Sequence, residues 1–225
     1  MSESMQKQEP KHRISIPKYT LGEELISAIS HGVGALCGIA VLVLCIVKSC
    51  NPFGGAKLAS SIVFGLTVML LYLMSCLYHS LKVNKAKRVF RVIDHCTIFL
   101  LIAGTYTPYT LVALGGALGW TIFGVIWGVA VLGIVLNAVN LKKFAKLSVV
   151  CYLLMGWLIV FAYPRMVAVM HPNALKLLVW GGVAYSVGAI LYAIGSKKKY
   201  FHSMFHFFCL LGTMLHFFSI YFYVL

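Results

Sequence analysis

Residues 25–47 read LISAISHGVGALCGIAVLVLCIV, a stretch that contains no Asp, Glu, Lys or Arg. A helix needs about 20 predominantly apolar residues to cross the hydrocarbon core of a bilayer, and this stretch is long enough. In lipid, only a helix or a closed barrel satisfies its own backbone hydrogen bonds. The alternating pattern typical of barrel strands is not present, so we interpret residues 25–47 as a transmembrane helix.

Similar apolar stretches recur along the whole chain. Apolar residues make up 61% of the 225 residues and charged residues only 11%, whereas about a quarter of a soluble domain is charged. The sequence therefore predicts an all-α integral membrane protein, a seven-transmembrane helix bundle, with residues 1–24 as an N-terminal tail and residues 25–225 as the membrane domain. The predicted spans cover approximately residues 25–47, 58–81, 92–114, 117–136, 147–170, 174–194 and 201–225.

Lysine and arginine are distributed unevenly between the two sides of the predicted bundle. The tail and the loops after spans two, four and six carry fifteen of these residues, and the opposite side carries Lys48, Lys57, Arg165 and Lys176. Because cytoplasmic loops are enriched in Lys and Arg, we predict a cytoplasmic N-terminus and an extracytoplasmic C-terminus. We interpret the net charge of +14 as that of membrane loops, and we exclude nucleic acid as a partner.

Three predicted helices carry polar side chains at the end that faces the cytoplasm. These residues are Ser75, His79, Asp94, His202 and His206. Residues four apart share a helix face, so His202 and His206 point together, and the topology brings His79 to the same depth. Two histidines one turn apart and a third from another helix are typical of a catalytic zinc site with water as the fourth ligand. We therefore predict one Zn²⁺ per chain, held by these three histidines, with Asp94 beside it.

The same residues have plainer interpretations. The histidines alternatively form hydrogen bonds between helices, and Asp94 alternatively pairs with Arg91 in the headgroup region. His31 either lines the same cavity as the metal ligands or caps a contact between helices. His216 is predicted to bond a neighbouring helix at mid-depth.

Small residues and one proline indicate how the helices pack. Pro108 is expected to kink the third span near Gly104, because proline lacks a backbone N–H. Small residues four apart let helices approach closely, and we interpret them as contacts inside the bundle. The pairs are Gly34 with Gly38, Gly124 with Gly128, and Ala184 with Gly188.

Together these residues resemble the bacterial hemolysin III family, part of the progestin and adipoQ receptor superfamily. The resemblance covers nearly all of residues 20–225. It is carried by Glu24, Ser27, Ser30 and His31-Gly32, by Ser75 and His79, by Asp94-His95 with Ala103 to Pro108, and by His202, His206 and His216.

The resemblance implies a seven-helix bundle with zinc near the cytoplasmic face of a bacterial inner membrane. In the eukaryotic receptors of the superfamily three histidines hold zinc, and they correspond here to His79, His202 and His206. The aspartate that holds the water corresponds to Asp94. Alkaline ceramidases share this set together with a serine, which corresponds to Ser75.

Three functions follow as hypotheses. The first is a zinc-dependent hydrolase of a membrane-lipid amide or ester, in which Asp94 takes a proton from water and Ser75 stabilises the oxyanion. The second is a non-enzymatic, receptor-like role in membrane homeostasis with a structural zinc. The third is a cytolysin or haemolysin. The expected partner is membrane lipid, and no oligomeric state is predicted.

Overall fold

The computed structural model describes residues 16–195 and 198–225, and within these ranges the chain is helical without a β-strand. Six helical runs there are long and apolar enough to cross a membrane, which confirms the all-α membrane architecture. A π-helix, Tyr109–Leu114, follows α3, and a 3₁₀ helix, Leu158–Ala162, joins α4 to α5. The helices are α1 (Leu21–Ser49), α2 (Gly55–Ser80), α3 (Lys85–Pro108), α4 (Gly116–Trp157), α5 (Tyr163–Val169), α6 (Pro172–Gly195) and α7 (Phe201–Tyr223).

The first helix begins inside the predicted tail. Thr20 caps α1, since its hydroxyl accepts the backbone N–H of Glu23 while the Glu23 carboxylate accepts the N–H of Thr20. This reciprocal pair satisfies two backbone donors that a helix start otherwise leaves open. The helix therefore starts at Leu21 rather than at residue 25. Residues 1–15 of the predicted tail, and Lys197, lie outside the described ranges.

The fourth and fifth predicted spans fall within one helical run, Gly116–Val169, of 54 residues. A straight α-helix of that length would extend about 80 Å, whereas the hydrocarbon core is about 30 Å thick. The backbone leaves helical geometry at Asn140 (φ −158°, ψ 84°). Ser148 donates a hydrogen bond of 2.7 Å to Asn137, 11 residues earlier, although 11 residues of straight helix would span about 16 Å. The run therefore folds back at Asn140.

Contacts with α3 show that the two halves of this run point in opposite directions. Along α3, the hydrogen-bond partners that precede Asn140 in the sequence have decreasing residue numbers. The partners that follow Asn140 have increasing residue numbers. The pairs before the break are Cys96 with Ile134 and Thr107 with Trp127, and the pairs after it are His95 with Tyr152 and Tyr106 with Ile159. The first half is thus antiparallel to α3 and the second half is parallel to it.

The departure from α-helical geometry near Pro108 lies later in the sequence than predicted. The α-helix continues past Gly104 to Pro108 and gives way to the π-helix at Tyr109. Gly104 packs directly against Thr67 of α2 in this turn. The π-helix ends at Gly115, whose φ of 58° glycine adopts without steric cost, and α4 starts at the next residue.

Small residues bring α1 and α2 into close contact. A Cβ atom added to Gly38 would lie 2.8 Å from the Met69 Cα, and one added to Gly65 would lie 2.5 Å from the Leu42 Cα. The prediction of internal packing is confirmed for Gly38. It is wrong for Gly124 and Gly128, where nothing lies within 4 Å of an added Cβ, because this face of α4 points away from the bundle.

The basic segments predicted to share one side of the membrane do lie together. Lys18, Arg91, Lys146 and Lys198 border one cavity, and we call this end of the molecule the basic end. At the opposite end the Lys57 ammonium donates to the Leu225 carbonyl at 2.7 Å. The helix ends that carry His79 and His202 are at the basic end.

Candidate metal centre

Three buried histidines from two helices converge at the basic end. His79 lies in the last turn of α2, and His202 and His206 lie in the first two turns of α7. They are 3%, 7% and 1% exposed, respectively. Each offers a ring nitrogen, and these nitrogens lie within 4.8 Å of one another, so the group is able to hold a metal ion.

The distances between the ring nitrogens suit tetrahedral coordination. The Nε2 atom of His202 lies 3.4 Å from that of His79 and 3.2 Å from that of His206. In a tetrahedral site with metal–nitrogen bonds of about 2.0–2.1 Å, ligand nitrogens are about 3.3 Å apart. The donor set therefore fits zinc in its chemistry and in these two distances, and the ligand atoms of the third pair, His79 and His206, lie within 4.8 Å of each other.

A carboxylate from α1 fixes the ring of His79. The Glu24 Oε2 atom lies 2.7 Å from the His79 Nδ1 atom. Because an ionised carboxylate only accepts hydrogen bonds, Nδ1 must carry the proton. In the neutral ring this leaves the lone pair on Nε2, the atom that faces the other two histidines. Metal-binding histidines commonly have a carboxylate in this position, where it orients the ring and increases its basicity.

Glu24 is in turn held by a buried lysine. The Lys87 Nζ atom lies 2.6 Å from Glu24 Oε1 and 2.9 Å from the Leu81 carbonyl oxygen. Lys87 is 1% exposed, and its ammonium lies 5.0 Å from the centre of the Tyr78 ring. A buried cation requires such partners. The pair therefore links α1, the end of α2 and the start of α3 behind the metal ligands.

We expect Glu24→Gln to weaken metal binding by about 10- to 100-fold, the usual cost of removing an outer partner of a ligand. An amide orients the ring less strongly and leaves the Lys87 ammonium without its counter-charge. The measurement is competition for zinc with a chromophoric chelator. Glu23→Gln is the matched control, because Glu23 bonds Thr20 and the Tyr200 N–H instead. Equal affinity in both variants would contradict the assignment.

Two further rings pack against the histidine group. His31 of α1 stacks on His206 with ring centres 3.7 Å apart, and both of its ring nitrogens are buried without a hydrogen-bond partner among the described residues. On the other side Tyr19, which precedes α1, stacks on His202 at 4.7 Å. Burial raises the pKa of the Tyr19 hydroxyl far above its ordinary value, so the phenol stays protonated.

An elongated cavity of about 180 Å³ extends from the histidine group into the bundle. Asp94, Ser75 and His31 line it together with His202 and His206. The remaining walls are mostly apolar side chains from α3, α4, α6 and α7. The structure thus brings the predicted aspartate and serine to the same cavity as two of the predicted ligands. His31 does both of the things predicted as alternatives, because it lines the cavity and also forms a contact between helices.

Other polar residues divide into those predicted and those missed. The His216 Nε2–H donates a hydrogen bond of 3.0 Å to the Leu178 carbonyl oxygen, because a carbonyl only accepts. This is the predicted bond to a neighbouring helix. His95 lines the cavity beside Asp94, with its Nδ1 at 3.7 Å from Asp94 Oδ2. The contact of Glu24 with His79 was not predicted. Its only signal in the sequence was an acid at the start of an apolar run.

Comparison with known proteins places this architecture in a family. The family described as "Haemolysin-III related" matches residues 19–217, a range that contains all the residues of the histidine group. The chain belongs to the haemolysin-III related family. No solved structure matches the chain.

Relatives in this family are similar over nearly their whole length. The chain is 39% identical to Hemolysin-3 of Bacillus cereus over 203 residues, which is 90% of this chain and 92% of the relative. It is 40% identical to the Hemolysin-3 homolog of Bacillus subtilis over 205 residues, 91% and 96% of the two chains. A more distant match, 23% identical over 171 residues, is the human monocyte to macrophage differentiation factor, with 72% and 69% covered. These matches confirm the resemblance to the hemolysin III family and its wider superfamily.

Proposed function

We propose that this haemolysin-III related protein is a zinc-dependent hydrolase that cleaves an amide or ester bond of a membrane lipid. The observation that carries the proposal is the convergence of three Nε2 atoms, 3.2 Å and 3.4 Å apart, at a cavity that Asp94 and Ser75 also line. Three nitrogen ligands leave a fourth position for chemistry. A structural zinc site would more commonly be closed by four protein ligands.

The residues around the cavity have distinct roles in this proposal. The three histidines would hold a zinc ion, which would supply Lewis acidity to a lipid carbonyl and to water. Asp94 accepts the proton of the attacking water and passes it to the leaving group. Ser75 Oγ donates a hydrogen bond to the carbonyl oxygen as negative charge develops on it. Glu24 keeps His79 in the tautomer that binds metal.

The walls of the cavity support an apolar substrate. Alkyl and aromatic side chains form most of the lining, and Asp94, Ser75, His202 and His206 are among its polar groups. Such a distribution would hold an acyl chain along the cavity with its carbonyl beside the histidines, since binding pockets use many apolar contacts and few polar ones.

We also propose that the bundle crosses the bacterial plasma membrane seven times with its N-terminus in the cytoplasm. The fold-back at Asn140 divides the 54-residue run into two segments, each able to cross a bilayer. Lys142, Lys143 and Lys146 follow the turn at once, at the basic end, and the positive-inside rule assigns that end to the cytoplasm.

A non-enzymatic membrane-homeostasis role is the second candidate, and one observation favours it. The histidine group and the Glu24–Lys87 pair together join α1, α2, α3 and α7, so a metal here would also fasten the bundle. Cytolysis, suggested by the names of the relatives, has less support. Nearer the opposite end, the Ser49 and Ser61 hydroxyls are bonded to each other at 2.6 Å.

The enzyme proposal is tested by incubating purified protein in mild detergent with a panel of N-acyl and O-acyl lipids and measuring released fatty acid. We expect release from at least one lipid class, its loss after treatment with a chelator, and its return on addition of zinc. Hydrolysis that persists in protein shown to be metal-free would exclude the proposed mechanism. A fall in melting temperature on chelation, without hydrolysis of any lipid, would instead support the structural role.

A further inference from the structure

A second cavity opens at the basic end, next to the metal cavity. Its volume is about 740 Å³, larger than that of the inner cavity, which is about 180 Å³. We call it the vestibule. Tyr192, Ala145 and Val149 line both cavities, so the two spaces adjoin along one wall of α4 and α6.

The charged residues that line the vestibule are mostly cations, and they come from four separate parts of the chain. A group as wide as a phosphate would meet positive charge from several directions. The charged lining residues are Lys18, Arg91, Lys146, Lys198, Lys199 and the carboxylate Glu23. Lys18 precedes α1, Arg91 belongs to α3, Lys146 follows the turn at Asn140, and the last two precede α7. The fold therefore gathers these charges, and no single run of sequence supplies them.

The one carboxylate of this lining is already engaged. Glu23 Oε1 accepts the Tyr200 backbone N–H at 2.7 Å, and Oε2 accepts the Thr20 N–H and hydroxyl, each at 2.8 Å. Glu23 is 5% exposed, so its oxygens are directed at these donors rather than into the open space of the vestibule. With five cations and one carboxylate the lining is positive overall, and it includes the hydroxyl-bearing side chain of Tyr19 as a further donor.

We propose that the vestibule binds a phosphate group. The ammonium groups of Lys18, Lys146, Lys198 and Lys199, together with the phenol of Tyr19, match the charge and the acceptor oxygens of a phosphate. The contact with the inner cavity indicates how a phospholipid would fit, with its phosphate in the vestibule and its apolar portion directed along the shared wall. The same chemistry also suits free inorganic phosphate. The inference concerns anion binding, and it does not require the metal.

The competing explanation is diffuse attraction between a basic membrane surface and anionic lipid, which needs no cavity. The chain offers a matched control for it. Lys142 and Lys143 are exposed, lie within four residues of Lys146, and are not part of the vestibule lining. Removing two charges from either place changes the net charge of the basic end equally.

The experiment compares the full chain, Lys146→Ala/Lys198→Ala and Lys142→Ala/Lys143→Ala in detergent. Each is offered equal amounts of phosphatidylglycerol and phosphatidylcholine, and the retained lipid is measured by native mass spectrometry. A parallel arm measures binding of inorganic phosphate alone by calorimetry. We expect the vestibule variant to lose roughly tenfold or more in binding of the anionic probe, phosphatidylglycerol or inorganic phosphate, because specific charged hydrogen bonds are lost. The control variant is expected to stay within about twofold of wild type, because Lys142 and Lys143 do not line the vestibule and contribute only diffuse, screened attraction.

The two arms identify the source of the phosphate. Selective retention of phosphatidylglycerol with no response to inorganic phosphate supports a lipid headgroup. Binding of inorganic phosphate that the vestibule variant abolishes supports a soluble ligand. The proposal is overturned if the two variants lose binding equally. It is also overturned if the wild type neither prefers phosphatidylglycerol to phosphatidylcholine nor binds inorganic phosphate. Repeating the assay in chelator-treated protein separates this result from the hydrolase, because vestibule binding should persist there whether or not hydrolysis is ever observed.

Discussion

Replacing His202 and His206 together by alanine removes the metal from the purified protein. Wild type is expected to hold about one zinc ion per chain and the double variant less than about a tenth of that, because a single histidine ligand cannot retain zinc in competition with water. The two side chains supply two of the three Nε2 atoms, 3.2 Å apart, and His79 alone would remain. The measurement is elemental analysis of protein prepared in mild detergent without added metal.

A surface histidine provides the control for this experiment. His171 is exposed and lies at the opposite end of the bundle, where its ring stacks on Tyr223, so His171→Ala should leave the metal content unchanged. Circular dichroism of all three proteins establishes that the double variant is still helical. Metal retained at wild-type level in a folded double variant would show that the ion binds elsewhere, and the proposed centre would be wrong.

Asp94→Asn is expected to reduce lipid hydrolysis by about 10²- to 10⁴-fold, the usual contribution of general acid–base catalysis. The amide has nearly the same size as the carboxylate but does not accept a proton from water. Asp94 is not one of the three residues whose ring nitrogens converge, so the metal content should remain close to that of wild type. Initial rates on the best lipid found in the hydrolysis screen, measured beside elemental analysis, test both parts.

The two measurements together distinguish catalysis from a structural role. Loss of hydrolysis with metal retained assigns a chemical function to Asp94. Full hydrolysis in Asp94→Asn would remove the proposed base and favour the non-enzymatic reading. Loss of both metal and hydrolysis would place Asp94 among the groups that hold the ion, which contradicts the role given to it here.

The helices and the histidine group were predictable because their signals are local. Apolar runs long enough to cross a bilayer, and His202 with His206 one turn apart, are visible in short windows of sequence. Adding the positions of the Lys and Arg residues was enough to bring His79 to the same depth. The contact between Glu24 and His79 was not predictable in this way, since 55 residues separate them and spacing in one helix says nothing of the partner in another.

The fold-back at Asn140 lies in the segment that the predicted spans 117–136 and 147–170 leave between them, but its form was not predicted. Residues 137–146 contain neither glycine nor proline, so local preference does not exclude a continuous helix through them. Hydrogen bonds formed by Asn137 with Ser148 and Tyr152 stabilise the reversed arrangement instead. The outward orientation of Gly124 and Gly128 was likewise set by which face of α4 meets α3.

The order of the ligands along the chain has a consequence for biosynthesis. Glu24, His79 and Lys87 all leave the ribosome early. Glu24 orients the His79 ring, and Lys87 holds Glu24 in place. His202 comes 123 residues after His79, which corresponds to roughly 6–25 s of translation at about 5–20 residues per second. During that interval a nascent chain presents one pre-oriented imidazole to the cell and no chelating pair. Binding of the proposed metal would therefore be one of the last events in maturation, and it would report that the final helix has been inserted.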